Sequence, residues 1–199
     1  MALLSRSPGG WSRPPVRSGR GVRAGFLASV LLLFPLTQAR AEGNALELAV
    51  KANYLYKFTP FVEWPPRSFS TPASPFVICV IGEDPFGRVL DEAVQGQQVG
   101  QHPVVIRRAP VAAPGMGCHV VFAGRSETQS TADMLRVVST QPVLTVTDQS
   151  RGVAGGMIQF VLRDGRVRFE IDAAAAEASG VTISSKLLGL ALSVRKAMR

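Results

Sequence analysis

Residues 76–81 (Phe-Val-Ile-Cys-Val-Ile) and 120–123 (Val-Val-Phe-Ala) are unbroken apolar runs in which inward and outward positions do not alternate. A strand of that kind is buried on both faces, the condition of a parallel sheet covered by helices on either side. The segments around them fit such a sheet. Helices are predicted over 85–95 and 127–138, and shorter strands over 104–107 and 143–146. Strand, helix, strand order argues for a three-layer α/β domain with a mostly parallel central sheet. Near the C-terminus, apolar runs at 157–162 and 167–171 flank Arg163-Asp164-Gly165-Arg166, and Asp-Gly is a strong two-residue turn signal. That hairpin is expected to form an antiparallel edge of the sheet. An alanine-rich run at 173–178 and a turn at Gly180 lead into a final helix predicted over 184–198.

The first 41 residues read differently. Arg6, Arg13, Arg17, Arg20 and Arg23 precede an apolar run of roughly a dozen residues, shorter than the ~20 that span a bilayer. Ala39-Arg40-Ala41 then offers small residues at both recognition positions of a signal peptidase, so residues 1–41 are expected to be an export signal cleaved after Ala41. Residues 42–199 are expected to be a single domain in the periplasm. The formal net charge of +8 largely belongs to that leader, which holds six arginines and no acid. About +2 remains on the domain, with no aromatic-basic patch, which argues against a nucleic-acid partner.

Two cysteines lie in the domain, Cys79 and Cys118. An even count in an oxidising compartment points to one bridge, with two buried free thiols as the alternative. Their separation and the lack of a Cys-x-x-Cys or His-x-x-His pair argue against a metal site. No cofactor motif is present. Gly82-Glu83-Asp84-Pro85-Phe86-Gly87 follows the first strand and opens a helix, the place where an α/β sheet holds a ligand, yet it has neither dinucleotide nor phosphate-loop spacing. Asp84 as N-cap and Pro85 as first helical residue account for it structurally. Gly82, Asp84 and Gly87, with Arg125 after the next central strand, are the candidate ligand residues. Ser126 and Gln129 have the spacing of a capping box. Ser185 and Lys186 are adjacent and so point apart on a helix, and His102 and His119 sit in unrelated segments. No catalytic residue is assigned, and the chain is expected not to be an enzyme.

Residues 46–64 are predicted to form a helix with an extended tail, ended by Pro65-Pro66. Leu46, Val50, Tyr54, Phe58 and Phe61 recur at helical spacing, while Leu48, Ala52, Leu55 and Tyr56 make a second apolar face. With apolar residues to spare, this segment offers Tyr54, Phe58, Phe61 and Trp64 as anchors for a partner.

Several blocks together resemble the YfiR family of periplasmic proteins. They are Lys51-Ala52-Asn53-Tyr54-Leu55-Tyr56-Lys57-Phe58, Phe61-Val62-Glu63-Trp64-Pro65, Cys79-Val80-Ile81-Gly82 and Cys118-His119-Val120-Val121-Phe122. Gly156-Met157-Ile158 and Gly180-Val181-Thr182-Ile183-Ser184-Ser185-Lys186-Leu187-Leu188 complete the set. The resemblance implies a flavodoxin/Rossmann-like α/β layout, a tendency to form homodimers, and a cysteine pair matching Cys79 and Cys118. It also implies a regulator that represses a membrane-bound diguanylate cyclase, or a related sensor, by contacting its periplasmic domain. The second, C-terminal cysteine pair of some members is absent here. A periplasmic module that binds a small ligand is the alternative expectation.

Overall fold

The computed structural model describes residues 34–196, with side chains from Glu42 onward. Residues 1–33 of the expected leader lie outside the described residues. The chain divides into residues 1–40 and a unit spanning Ala41–Arg199, to which everything below belongs apart from the first residues of α1. Among the described residues no helix is long and apolar enough to cross a membrane.

The elements run α1 (Phe34–Lys57), β1 (Val62–Glu63), β2 (Phe76–Ile81), α2 (Arg88–Val94), β3 (Gln98–Val99), β4 (His102–Ala109), β5 (Val120–Ala123), α3 (Thr131–Val138) and β6 (Leu144–Asp148). The β7 (Ile158–Arg163) and β8 (Arg166–Asp172) hairpin follows, then α4 (Ala173–Ser179), β9 (Thr182–Ile183), α5 (Ser185–Leu188) and β10 (Val194–Arg195). Eight strands form one sheet in the order β10-β8-β7-β6-β5-β2-β4-β3, and β1 pairs with β9 in a separate antiparallel ribbon. The pairs β2 with β4, β2 with β5, β5 with β6 and β6 with β7 are all parallel. The class is therefore mixed α/β with a mostly parallel sheet. Strands β4-β2-β5-β6-β7 follow the 2-1-3-4-5 order of a doubly wound sheet, although only the β2–β4 and β5–β6 connections carry a helix.

The two central apolar runs are buried at every residue. Alternate side chains of β2 enter different cores. Phe76, Ile78 and Val80 pack with Ala52 and Leu55 of α1, Phe58 just after it, Leu90 of α2, Ala176 of α4 and Leu187 of α5. Val77, Cys79 and Ile81 pack on the other face with Met134 and Val138 of α3 and with Cys118. At ~1.5 to 3 kcal/mol for each large side chain buried, these two clusters dominate the stability of the fold.

Four predicted elements differ from the structure, each for a local reason. The first helix begins upstream of residue 46 and ends at Lys57, because Thr59 precedes Pro60 and the chain turns there into a 3₁₀ turn and β1. The helix expected from Pro85 begins at Arg88, since the Asp84 carboxylate accepts the backbone N–H groups of Phe86 (2.8 Å) and Gly87 (3.2 Å) and closes a turn instead. The third helix starts at Thr131 with Ser130 as its cap, while the Gln129 amide bonds both backbone groups of Ala112. The final helix is a single turn capped by Ser184; the chain then pairs with β8, where Leu192 N–H donates to Phe169 O and Ile171 N–H to Ser193 O. β10 thus covers part of β8, so the hairpin is not the sheet's edge. The hairpin turn itself is as expected, with Asp164 and Gly165 both at positive φ.

The 65–75 segment is fixed by aromatic stacking. His119 stacks on both Phe69 and Phe76, with ring centroids 4.6 and 4.7 Å away, and His102 stacks on Phe69 as well. His119 Nδ1 accepts the Val77 N–H (3.1 Å), which leaves Nε2–H to donate to Ser68 O (3.1 Å). The ring is therefore neutral in this arrangement. Burial pushes the imidazole below its ordinary value, opposed in part by the Ser68 hydrogen bond.

Candidate functional site

Two concave surfaces stand out. The first is an apolar groove of about 260 Å³ between α1 and β8. Tyr54 and Phe61 line it with Val167, Leu187 and Leu190, and Lys57 and Arg168 stand at its margin. Leu190 is 65% exposed, which is unusual for a leucine in a groove that is otherwise half-closed. The four aromatic residues expected to form one surface do not. Phe58 is 1% exposed and stacks on Tyr54, with Phe169 edge-on, so it is part of the groove's floor and not a contact residue. Trp64 lies away from the groove, edge-on to Phe76, and its Nε1–H donates to His119 O (3.1 Å).

The second surface lies at the carboxyl ends of β2, β5 and β6. The order in which strands are added reverses between β2 and β5, with β4 on one side and β5 on the other, the position where open α/β sheets bind ligands. Here that crevice is closed by backbone: Glu83 N–H donates to Arg125 O (2.7 Å) and Gly124 N–H to Ile81 O (2.8 Å). A Cβ on Gly82 would sit 2.5 Å from Arg125 O, so this approach requires glycine. The cavity opens one strand further along, about 260 Å³ in volume, lined by Glu83, Phe122, Arg125, Asp148, Ser150 and Arg151. Of the expected ligand residues, Gly82 and Arg125 come together. Asp84 and Gly87 face elsewhere, and the Asp84 carboxylate pairs with Arg108 (2.6 Å). Arg125 is oriented by a bond from its guanidinium to Arg151 O (2.8 Å).

Behind this cavity is an ion-pair network that the sequence reading did not find. Lys51 of α1 is fully buried, and its ammonium donates to Asp148 Oδ2 (2.6 Å), to Ser150 Oγ (2.8 Å) and to Glu47. All three of its protons are used. Asp148, 1% exposed, takes the Ser150 hydroxyl (2.7 Å) and N–H (3.1 Å) on its other oxygen. Each buried charge is thus paired and hydrogen-bonded, the condition under which burial is tolerated. The Lys51–Ser150 contact has the look of a nucleophile and base, but an ammonium donating to two carboxylates has no lone pair with which to deprotonate a hydroxyl. Among the described residues no group of three or more His, Cys, Asp or Glu is placed to hold a metal ion.

Cys79 on β2 and Cys118 just before β5 form a disulfide with Cα atoms 5.8 Å apart. It ties the two central strands together on the face opposite α1.

The family model of YfiR/HmsC-like proteins matches residues 48–192. No curated protein matches the chain. The matched span covers every strand of the large sheet except β10, along with the groove, the cavity, Lys51 and the disulfide. The chain belongs to the YfiR/HmsC-like family, which is known for periplasmic regulators.

Proposed function

We propose that this chain is exported to the periplasm by residues 1–41 and represses a membrane-bound diguanylate cyclase, or a related sensor, by docking at the groove between α1 and β8. Family membership supports the regulatory role. The observation that carries the docking surface is the groove itself, where half-buried Tyr54 and Phe61 stand beside a largely exposed Leu190. Aromatic and apolar anchors entering desolvated pockets contribute most of the energy of protein contacts. Repression then follows from differential affinity: the domain holds its partner in whichever state presents the matching surface.

The test is intracellular cyclic di-GMP in a strain lacking this gene, complemented with the native chain or with Leu190→Asp. Deletion is expected to raise the nucleotide and the native gene to lower it again. Leu190→Asp, on an exposed side chain, is expected to reach the same protein level without restoring repression. No rise on deletion refutes the cyclase as target; full restoration by Leu190→Asp refutes the groove.

A second reading, a module for a small ligand, draws on the cavity at Arg125 and Arg151. Two guanidiniums over an apolar Phe122 wall suit a small carboxylate. A rise in melting temperature with such compounds, absent in Arg125→Ala, is its signature.

A further inference from the structure

The rim of the groove between α1 and β8 carries cations that the fold leaves without counter-charges. Lys57 and Arg168 line the groove, and Arg163 and Arg166 stand at the hairpin end beside it. All four side chains are exposed. Among the described residues none of the four forms an ion pair or donates a side-chain hydrogen bond. Elsewhere on the surface Arg88, Arg108, Arg136 and Arg195 each meet a carboxylate.

That placement opposes stability. Arg163 lies directly opposite Arg166 on the antiparallel β7–β8 pair, and Arg168 follows on the same face. Like charges directly opposed destabilise a sheet. The other face of the hairpin is apolar. Leu162 lies opposite Val167, and Val167 lines the groove. Leu162 is 41% exposed, so with Leu190 it extends the apolar surface past the groove itself. The outer edge of β8 is covered only from Phe169 onward, where Leu192 N–H reaches Phe169 O (2.9 Å). An apolar recess and uncompensated positive charge therefore meet along one strand edge.

We infer that the groove takes a segment of a partner protein that combines large apolar side chains with aspartate or glutamate. At about 260 Å³ the groove is smaller than the ~300–1,000 Å³ typical of small-molecule sites, and it is the size of an anchor pocket for protruding side chains. A flat bilayer surface would leave such a recess unfilled. Carboxylates flanking the anchors would meet Lys57 and Arg168 at the margin, where guanidinium and carboxylate pair with two parallel hydrogen bonds. They would also relieve the opposition of Arg163 and Arg166. Charges at a rim act mainly on encounter and register, so the cations select which apolar segment enters. The inference rests on the groove being a docking surface and adds the chemistry of the occupant; it does not require that the partner be a cyclase.

Photocrosslinking tests it, with a photoreactive phenylalanine analogue in place of Leu190 in the full chain, made in the source bacterium lacking the native gene. Mass spectrometry of the joined peptide is expected to find large apolar residues and more acidic than basic ones. Arg166→Glu with Arg168→Glu is expected to lower the yield of that adduct roughly tenfold, whereas Arg166→Lys with Arg168→Lys keeps most of it. The glutamate at position 166 faces Arg163 as an opposite charge, so this variant is expected to melt no lower than native, and its lost adduct is not lost fold. A joined peptide with as many basic as acidic residues overturns the inference. So do a phospholipid or a second copy of this chain as the sole adduct, no adduct, or equal yields from the two double variants. An acidic, apolar peptide from a protein other than a cyclase upholds the inference and refutes the cyclase as target.

Discussion

Replacing Lys51 with methionine keeps most of the side chain's volume and removes its charge. What is left is a carboxylate at Asp148, 1% exposed, that has lost the ammonium at 2.6 Å. Breaking a buried ion pair from one side typically costs about 3–5 kcal/mol, because the remaining charge is neither solvated nor paired. A domain of this length loses about 2–4 °C in melting temperature per kcal/mol, so Lys51→Met is expected to melt roughly 6–20 °C below the native protein. Glu47 is 21% exposed and can recover water, so Glu47→Gln is expected to cost much less. Lys51→Met combined with Asp148→Asn removes the orphaned charge as well, and is expected to melt above the Lys51→Met single variant. Circular dichroism melts at neutral pH with the disulfide intact measure all four proteins. A Lys51→Met protein melting within about 2 °C of native refutes the argument, because the buried ammonium would then not be compensating Asp148.

Two further outcomes are expected. The folded protein holds His119 below the ordinary histidine value of about 6.5, so the unfolded chain binds the proton first as pH falls. Stability contributed by the neutral ring is therefore complete above pH ~6.5 and is lost progressively as pH falls toward the lower folded value. Urea midpoints measured between pH ~7 and ~5 should fall with acidification, and His119→Gln should flatten that slope; an unchanged slope refutes the assignment. The Cys79–Cys118 bridge spans 39 residues, for which chain entropy gives about 4 kcal/mol. Reductant or a double Cys→Ala variant should lower the melting temperature accordingly, and alkylation of two thiols in the exported native protein without reductant would refute the bridge.

The central strands were legible because their signal does not depend on distant contacts. Residues 76–81 and 120–123 are apolar throughout, and they form strands with those same limits. Helix starts were less legible, since Asp84 and Ser126 have the composition of caps. Whether such a side chain caps a helix or closes a turn depends on backbone direction two residues later, which spacing does not encode. The final helix failed for a non-local reason. After a turn at 189–190, Val194 and Arg195 carry no strong strand signal of their own, and they are extended because the outer edge of β8 accepts them.

On α1 the two apolar faces were legible, but which of them is buried was not. Residues 51, 52 and 55 form the buried stripe, continued past the helix end by 58 and 59, while Leu46 is 68% exposed and Tyr54 lines the groove. A lysine at the first of those positions reads as solvated, because its partner Asp148 lies 97 residues away and no local pattern joins them. The signal that was present is a lysine at i−4 from Leu55 and i−7 from Phe58, inside an apolar stripe, with Glu47 one turn earlier. A charge at a core position persists only where the fold supplies a counter-charge. In an α/β sheet the place that can supply one against a covering helix is the carboxyl end of a strand, as Asp148 does at the end of β6. Lys51 and Tyr54 are one turn apart on α1, so the helix that walls the groove is pinned by the same network that backs the Arg125 cavity.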